Sequence, residues 1–171
     1  MSEIKLIDHS EKISGVWEVI LPYWESNRGA NFEGLNKDKY PSQFKPFFDK
    51  TPVDSFSVSV EGSLRGMHAD PNYKLIQLLY GRMQFVVFDQ RKYSSTMGNA
   101  LEFIVRYDEC RQFLIPPNVF NGHLAIYKEI VFSYKLSEGY FPPEQQQVLN
   151  YKKVPVQWLI QNPILSERDA K

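Results

Sequence analysis

The chain has 171 residues, of which 15% are aromatic, and its 20 Lys and Arg residues are balanced by 20 Asp and Glu residues. A neutral chain has no overall field that attracts nucleic acid or an anionic membrane, so any anion must be held by a local group of cations. The length predicts one domain, residues 1–171, and the sole cysteine, Cys110, excludes an internal disulfide and a cysteine-based zinc site. No apolar run approaches the ~20 residues of a membrane span, and residues 1–5 do not open a secretory signal, so we expect a cytoplasmic protein.

The predicted elements are mostly short strands, because β-forming residues alternate with frequent turns and 11 prolines. In chain order, strand patterns occupy residues 15–21, 55–60, 74–80, 83–89, 100–106, 112–115, 125–127 and 130–136. The pattern predicts a hairpin with a tight turn at Gly81 and Arg82, and a sizeable helix or loop within residues 37–50. Together these elements predict an all-β fold with few short helices, best described as a cupin-type antiparallel jelly roll.

The stretch Leu-Arg-Gly-Met-His at residues 64–68 sets an imidazole beside cations. His68 follows Arg65 by three residues, and Lys74 comes six residues later. A histidine near two cations suits proton abstraction from an anionic substrate, because the cations hold the charge while the imidazole takes the proton. A lone histidine is more often a structural residue, but neighbouring like charges require an anionic partner and so favour a functional site.

Three further residues have two interpretations each. Tyr134 either packs in the core or delivers a proton to one face of a substrate. Asp169, two residues from the end, is either a solvated tail charge or, if the apolar residues 163–165 dock, the partner of a histidine ring nitrogen. His123 either contacts a ligand or is an ordinary turn residue. Two rival functions remain open, a metal-dependent cupin and a non-catalytic sugar-binding jelly roll, although the three histidines include no His-x-His pair.

The order of these motifs resembles the dTDP-4-dehydrorhamnose 3,5-epimerase family over nearly the whole chain, from about Gly15 to Asp169. The resemblance implies that His68 is the catalytic base, Tyr134 the opposing acid and Asp169 the partner of the base. It also implies a nucleotide-diphosphate 4-keto sugar as substrate, no metal or redox cofactor, and a homodimer in which an N-terminal strand joins the partner's sheet. The substrate-binding residues that it implies are Arg28, Glu33, Arg65, Lys74, Asn121 and His123.

Departures from the family pattern leave the nucleotide open. Asn121 stands where the rhamnose enzymes carry a second histidine, and Ala30 stands where they carry an aromatic residue that packs on thymine. Gly139 replaces a tyrosine that stacks on the base, although Tyr140 is adjacent. These departures favour the branch that epimerises GDP-linked 4-keto heptoses, so GDP and dTDP both remain candidates. Inversion at carbon 3 or carbon 5 alone, or migration of the keto group, also remains open.

Overall fold

A computed structural model describes residues 3–50 and 53–171 of the chain. Within them, all pairings between the strands are antiparallel, as predicted. The strands are β1 Lys5–Asp8, β2 Trp17–Ile20, β3 Tyr23–Ser26, β4 Gly29–Phe32, β5 Val53–Ser59, β6 Leu64–Ala69, β7 Lys74–Phe88, β8 Ala100–Arg106, β9 Arg111–Ile115, β10 Phe120–Leu136 and β11 Gln147–Val148. In the described part of the chain, helical structure is limited to one α-helical turn and short 3-10 segments, namely α1 Lys45–Phe48 and Lys37–Lys39, Ser42–Phe44, Tyr107–Glu109, Pro143–Gln145 and Tyr151–Lys153. None of these helices has the length and apolar character needed to cross a bilayer.

Two long strands, β7 and β10, belong to both layers of the fold. The first part of β7 and the last part of β10 pair with each other, with β9 and with β5, so that one layer runs β1-β2-β9-β7-β10-β5. The last part of β7 and the first part of β10 form the other layer, which runs β8-β7-β10-β6-β11. Apolar residues from both layers build the core between them, among them Ile76, Phe85, Phe113 and Phe132.

The predicted hairpin at Gly81 is wrong, because residues 74–88 form one continuous strand. Gly81 has a φ of +84°, and the pairing of β7 with β10 shifts register around residues 125–132. Such shifts are β-bulges, which bend a strand without reversing it. The two strands predicted at residues 125–127 and 130–136 are likewise parts of the single strand β10. A local turn signal in the sequence therefore marks the point where a long strand passes between layers.

A bulge in β6 decides which side chains share a face near residue 66. Across the pair, Arg65 lies opposite His123 and His68 lies opposite Asn121, so three steps on β6 match two on β10. The extra residue on β6 brings Arg65 and His68 to the same face, although ordinary alternation would put them on opposite faces. Gly66, with a φ of +122°, lies at the bulge.

Gly66 also allows the two strands to approach closely. A Cβ added at this position would lie 2.6 Å from the Gly122 Cα and 2.8 Å from the Asn121 carbonyl oxygen, both of them backbone atoms that cannot rotate away. A larger residue would therefore push β6 away from β10 at the point where both strands present polar side chains.

We predict that Gly66→Ala lowers the free energy of unfolding by about 1–3 kcal/mol from overpacking, in addition to the cost of its positive φ. Gly98→Ala is the matched control, because Gly98 has a φ of +89° but nothing within 4 Å of an added Cβ. Urea unfolding of both variants separates the steric cost from the backbone cost. Equal losses in the two variants would contradict a close approach of the strands at Gly66.

Candidate active site

One cavity of about 770 Å³ collects most of the residues singled out from the sequence. β6 and the first part of β10 contribute from one layer, while β5, the first part of β7 and the last part of β10 contribute from the other. Of the predicted site residues, the cavity is lined by Arg65, His68, Lys74, Asn121, His123, Tyr134 and Asp169. His68 and Tyr134 therefore face a common space from different layers of the fold.

The C-terminal tail docks beside β6 instead of fraying. Leu64 donates its backbone N–H to the Ile164 carbonyl oxygen at 2.9 Å, and Gln84 accepts a hydrogen bond from the Leu159 amide at 2.9 Å. A turn over residues 166–170 then carries Asp169 inward. The side chain of Asp169 is only 4% exposed, and its Oδ1 lies 2.5 Å from Nε2 of His68. The geometric expectation that the tail brings this acid to the histidine ring is met.

The carboxylate of Asp169 determines which nitrogen of His68 is free. Burial disfavours its charged form, but hydrogen bonds from His68, the Gly66 amide and Ser166, together with the charge of His68, outweigh burial and lower the pKa of Asp169. Asp169 is therefore a carboxylate at neutral pH, and it accepts a hydrogen bond from Nε2–H of His68. Nδ1 of His68 is left as the nitrogen with a lone pair available to take a proton.

Tyr134 is a protonated phenol that lines the cavity from the layer containing β5. Burial, a hydrogen bond with Tyr140 and the proximity of that phenol raise the pKa of Tyr134 to about 12. The two hydroxyl oxygens are 2.6 Å apart, and the Tyr134 ring stacks on Phe132 with centroids 5.7 Å apart. The group is suited to donating a proton, because it stays neutral throughout the physiological range.

Lys74 is buried in the cavity wall and paired with an acid that the sequence reasoning did not consider. Its Nζ lies 2.9 Å from Oδ2 of Asp70. Burial lowers the pKa of Lys74, and the charge and hydrogen bond of Asp70 oppose that shift. Asp70 also lines the cavity, two residues after His68 and four before Lys74. Its place in the sequence could have identified it, because an acidic residue between two groups already assigned to the site is a candidate partner for either of them.

His123 and Asn121 contribute polar groups of different kinds. Burial, with the charges of Arg65 and His68, lowers the pKa of His123 to about 3, so its imidazole is neutral at physiological pH. Its ring stacks on Phe132 at 4.3 Å, and its Nε2 has no hydrogen-bond partner in the part of the chain that the structure describes. Asn121 donates from Nδ2 to the carbonyl oxygen of His68 at 3.1 Å, which ties β10 to β6. A neutral imidazole can hydrogen-bond a hydroxyl group but does not provide a cation for phosphate.

Arg28 and Glu33 lie outside the cavity of this single chain. Arg28 is exposed in the turn between β3 and β4, and Glu33, which follows β4, pairs with Lys39. Arg65, by contrast, lines the cavity, and its guanidinium donates to the Ser59 hydroxyl at 2.8 Å and to the Val58 carbonyl oxygen at 3.3 Å. Substrate binding by Arg28 and Glu33 stays a prediction.

Potential metal ligands are not clustered in the part of the chain that the structure describes. Among residues 3–50 and 53–171, no three His, Cys, Asp or Glu side chains are grouped so that they could hold a metal ion. The prediction that the reaction uses no metal or redox cofactor stays a prediction.

Comparison with known proteins identifies the family. Residues 10–171 match the sequence model of the dTDP-4-dehydrorhamnose 3,5-epimerase family. The chain belongs to this family. A dTDP-4-dehydrorhamnose 3,5-epimerase from Shigella flexneri is 31% identical over 121 residues, which are 68% of this chain and 67% of the relative. The Salmonella typhimurium enzyme of the same name is 29% identical over 151 residues, covering 84% of this chain and 81% of that protein.

Solved structures agree with this assignment. A dTDP-6-deoxy-D-glucose-3,5-epimerase from Legionella pneumophila, in complex with dTDP-4-keto-L-rhamnose, superposes with a TM-score of 0.85 at 25% identity over 98% of this chain and 90% of that chain. A dTDP-4-dehydrorhamnose 3,5-epimerase from Bacillus anthracis with TDP and pyrophosphate bound gives a TM-score of 0.84 at 25% identity, with 98% and 97% coverage. The predicted cupin-type jelly roll is confirmed, and the chain is an epimerase.

We predict that Asp169→Asn lowers the activity of this epimerase by about 10–100-fold, because the group that orients the histidine loses its charge. Since the folded-state pKa of Asp169 is lowered, its ionised form stabilises the fold above the usual carboxyl pKa and this contribution disappears as the pH falls. The difference in unfolding free energy between parent and variant should therefore shrink below about pH 4.

The control for this prediction is Asp108→Asn, which removes an exposed carboxylate paired with Arg106 outside the cavity. We expect this variant to keep the parental activity. Full activity in Asp169→Asn would show that the charge of the tail carboxylate is not needed to orient His68.

Proposed function

We propose that the chain inverts carbon 3 and carbon 5 of a dTDP-linked 4-keto sugar by proton transfer through His68 and Tyr134. The observation that carries the proposal is the pair of groups facing one cavity, an imidazole whose Nδ1 is free and a phenol with its pKa raised to about 12. A keto group acidifies the protons on the neighbouring ring carbons, and a base on one side with an acid on the other is the arrangement that inversion requires.

In the first step, Nδ1 of His68 removes the proton next to the ketone. Asp169 stabilises the imidazolium that forms, because its carboxylate accepts a hydrogen bond from Nε2–H, with Oδ1 2.5 Å from Nε2. The electrons of the broken C–H bond move to the ketone oxygen, which becomes an enolate. Lys74 is the nearby cation that stabilises this oxygen, and removing one such donor typically costs about 3 kcal/mol.

In the second step, Tyr134 protonates the carbon from the opposite side. Because the two groups come from different layers of the fold, the proton returns on the face from which it did not leave, and the centre is inverted. Arg65 is suited to the diphosphate because it is a cation at the cavity. His123 is neutral and its Nε2 has no hydrogen-bond partner among the described residues, so it is suited to a sugar hydroxyl.

The nucleotide is dTDP in the first candidate, in keeping with the Legionella and Bacillus structures that hold dTDP-4-keto-L-rhamnose and TDP. GDP is the second candidate, and two observations favour it. Ala30 is exposed on β4 and offers no ring for thymine to pack on, and Gly139 offers no side chain at all. A single-centre epimerase or a ketoisomerase would use nearly the same residues.

The test is incubation in heavy water with dTDP- and GDP-linked 4-keto sugars, followed by NMR at each ring position. We predict that His68→Asn lowers deuterium incorporation by about 10²-fold or more, because no base remains. Tyr134→Phe should still exchange the proton on the His68 side but fail to invert the carbon. Retained exchange in His68→Asn, or unchanged inversion in Tyr134→Phe, would remove that residue from the scheme.

The wild-type protein separates the remaining alternatives in the same experiment. Exchange with only one of the two sugar nucleotides identifies the nucleotide that the protein uses, and the labelled positions show whether one or two centres react. Binding of both sugar nucleotides without exchange at any position would instead support a non-catalytic sugar-binding protein.

We infer that the active form is a homodimer. The β3–β4 hairpin pairs with no other strand in the described chain, and it exposes Tyr23 and Trp24. Within residues 3–50 and 53–171, β5 pairs with β10 alone, and it exposes Phe56 and Val58 at the cavity. Large apolar side chains on an unpaired edge favour association with a second copy. A second copy that covers this edge with its hairpin would bring Arg28 and Glu33 to the substrate.

We predict that Arg28→Ala reduces kcat/KM by about 10-fold or more if its guanidinium binds the diphosphate, since such a charge-assisted bond contributes about 1.5–3 kcal/mol. Co-expression with His68→Asn tests whether the arginine acts across the dimer. A mixed dimer then contains one site with both residues intact and regains activity. Mixed dimers as inactive as their parents, or a monomer in analytical ultracentrifugation, would contradict the inference.

A further inference from the structure

The phenol of Tyr134 is connected to solvent through a second phenol. Its oxygen lies 2.6 Å from the hydroxyl oxygen of Tyr140, and the Tyr140 side chain is 65% exposed while still lining the cavity. Among the described residues, Tyr140 is the hydrogen-bond partner of Tyr134 that reaches furthest into water. A continuous path of two O–H groups therefore runs from the cavity to solvent.

The position of Tyr140 is held by a buried asparagine. Asn72, which is 1% exposed, donates from Nδ2 to the Gly139 carbonyl oxygen at 2.8 Å and accepts from the Glu138 amide at 2.9 Å. Gly139, which directly precedes Tyr140, has a φ of +92°, a conformation that glycine adopts without steric cost. The contact between the two phenols is thus supported by the fold around it.

The chemistry of inversion requires such a path. In the proposed function, on which this inference rests, each inversion takes one proton from Tyr134 and gives one to His68. The enzyme is left with a phenolate and an imidazolium, and it cannot invert another centre in the same direction until both are reset. His68 lines the cavity and can release its proton from Nδ1, but the phenolate of Tyr134 needs a donor.

We propose that Tyr140 is the positioning residue that restores the proton of Tyr134 after each inversion. The Tyr140 O–H bond breaks as the Tyr134 O–H bond forms, which moves the negative charge to Tyr140. Water then protonates the exposed Tyr140 oxygen, and the hydroxide that results is neutralised by the proton that His68 releases. The cycle leaves no net change in protons or electrons.

The other polar groups that face Tyr134 are less suited to this transfer. Arg65 contributes a positive charge, but a guanidinium is not deprotonated in proteins and so supplies no proton. Ser55 lies opposite Tyr134 on β5, and its hydroxyl is a far weaker acid than a phenol. Tyr140, by contrast, carries the same kind of hydroxyl as Tyr134, and its oxygen already lies 2.6 Å from the Tyr134 oxygen, so the proton passes between two like groups in direct contact.

Tyr140→Phe tests the proposal, because it keeps the ring and removes only the hydroxyl. With the 4-keto sugar nucleotide that exchanges in the heavy-water assay, we expect rapid-quench kinetics to show a first inversion near the parental rate, since Tyr134 begins protonated. Later turnovers should slow by about 10-fold or more, since the reset has lost its donor. Small protonated buffers such as imidazole should restore these turnovers in a concentration-dependent way at constant pH.

Three further variants, Tyr93→Phe, Ser55→Ala and Tyr134→Phe, distinguish the relay from its alternatives. Tyr93→Phe removes the hydroxyl of a tyrosine that is 91% exposed and outside the cavity, and it should behave as the parent does. Parental steady-state rates in Tyr140→Phe overturn the relay, as do equal losses in first and later turnovers without buffer rescue. A buffer-rescued deficit in Ser55→Ala instead of Tyr140→Phe would move the relay to β5. Normal inversion in Tyr134→Phe would overturn the proposed function itself, whereas loss of inversion there with a parental Tyr140→Phe overturns the relay alone.

Discussion

The rest of the candidate site depends on the hydrogen bond between Nε2 of His68 and the carboxylate of Asp169. It couples a residue of β6 to one near the end of the chain, 101 positions away. The bond leaves Nδ1 of His68 free, and the buried carboxylate stabilises positive charge on the ring. It exists only because the tail docks, with Ile164 bonded to the backbone on both sides of Ser63 and Trp158 packed into an apolar cluster with Leu64 and Met67.

The second constraint is the passage of β10 through both layers. Its first part carries Asn121 and His123 beside β6, and its last part carries Phe132 and Tyr134 beside β5. One strand therefore contributes to two walls of the same cavity. The bulge in β6, made possible by a glycine, turns Arg65 and His68 to one face so that an imidazole and a cation lie together. The imidazole of His68 and the phenol of Tyr134 face a shared space because these irregularities interrupt an otherwise regular sheet.

Burial, hydrogen bonds and neighbouring charges together give each group a different charge state. Asp169 is held as a carboxylate, Tyr134 as a neutral phenol with a pKa of about 12 and His123 as a neutral imidazole with a pKa of about 3. Lys74 keeps a carboxylate partner at Asp70 inside the wall. A chain without net charge thus separates its charges locally, and pushing the pKa values of neighbouring groups apart is how a protein assigns the roles of acid and base.

The sequence by itself determined the strand-rich fold class, the grouping of Arg65, His68 and Lys74, and the family resemblance, because alternation, turn residues and motif order are local properties. It failed at Gly81, where a local turn signal could not distinguish a hairpin from a bulge in a long strand. Only the tertiary structure decided that Asp169 lies against the histidine, because the docking of a tail depends on contacts about a hundred residues away. It also showed that Asp70 and Tyr140 join the cavity while Arg28 and Glu33 do not, since burial and pairing across strands are not encoded in spacing along the chain.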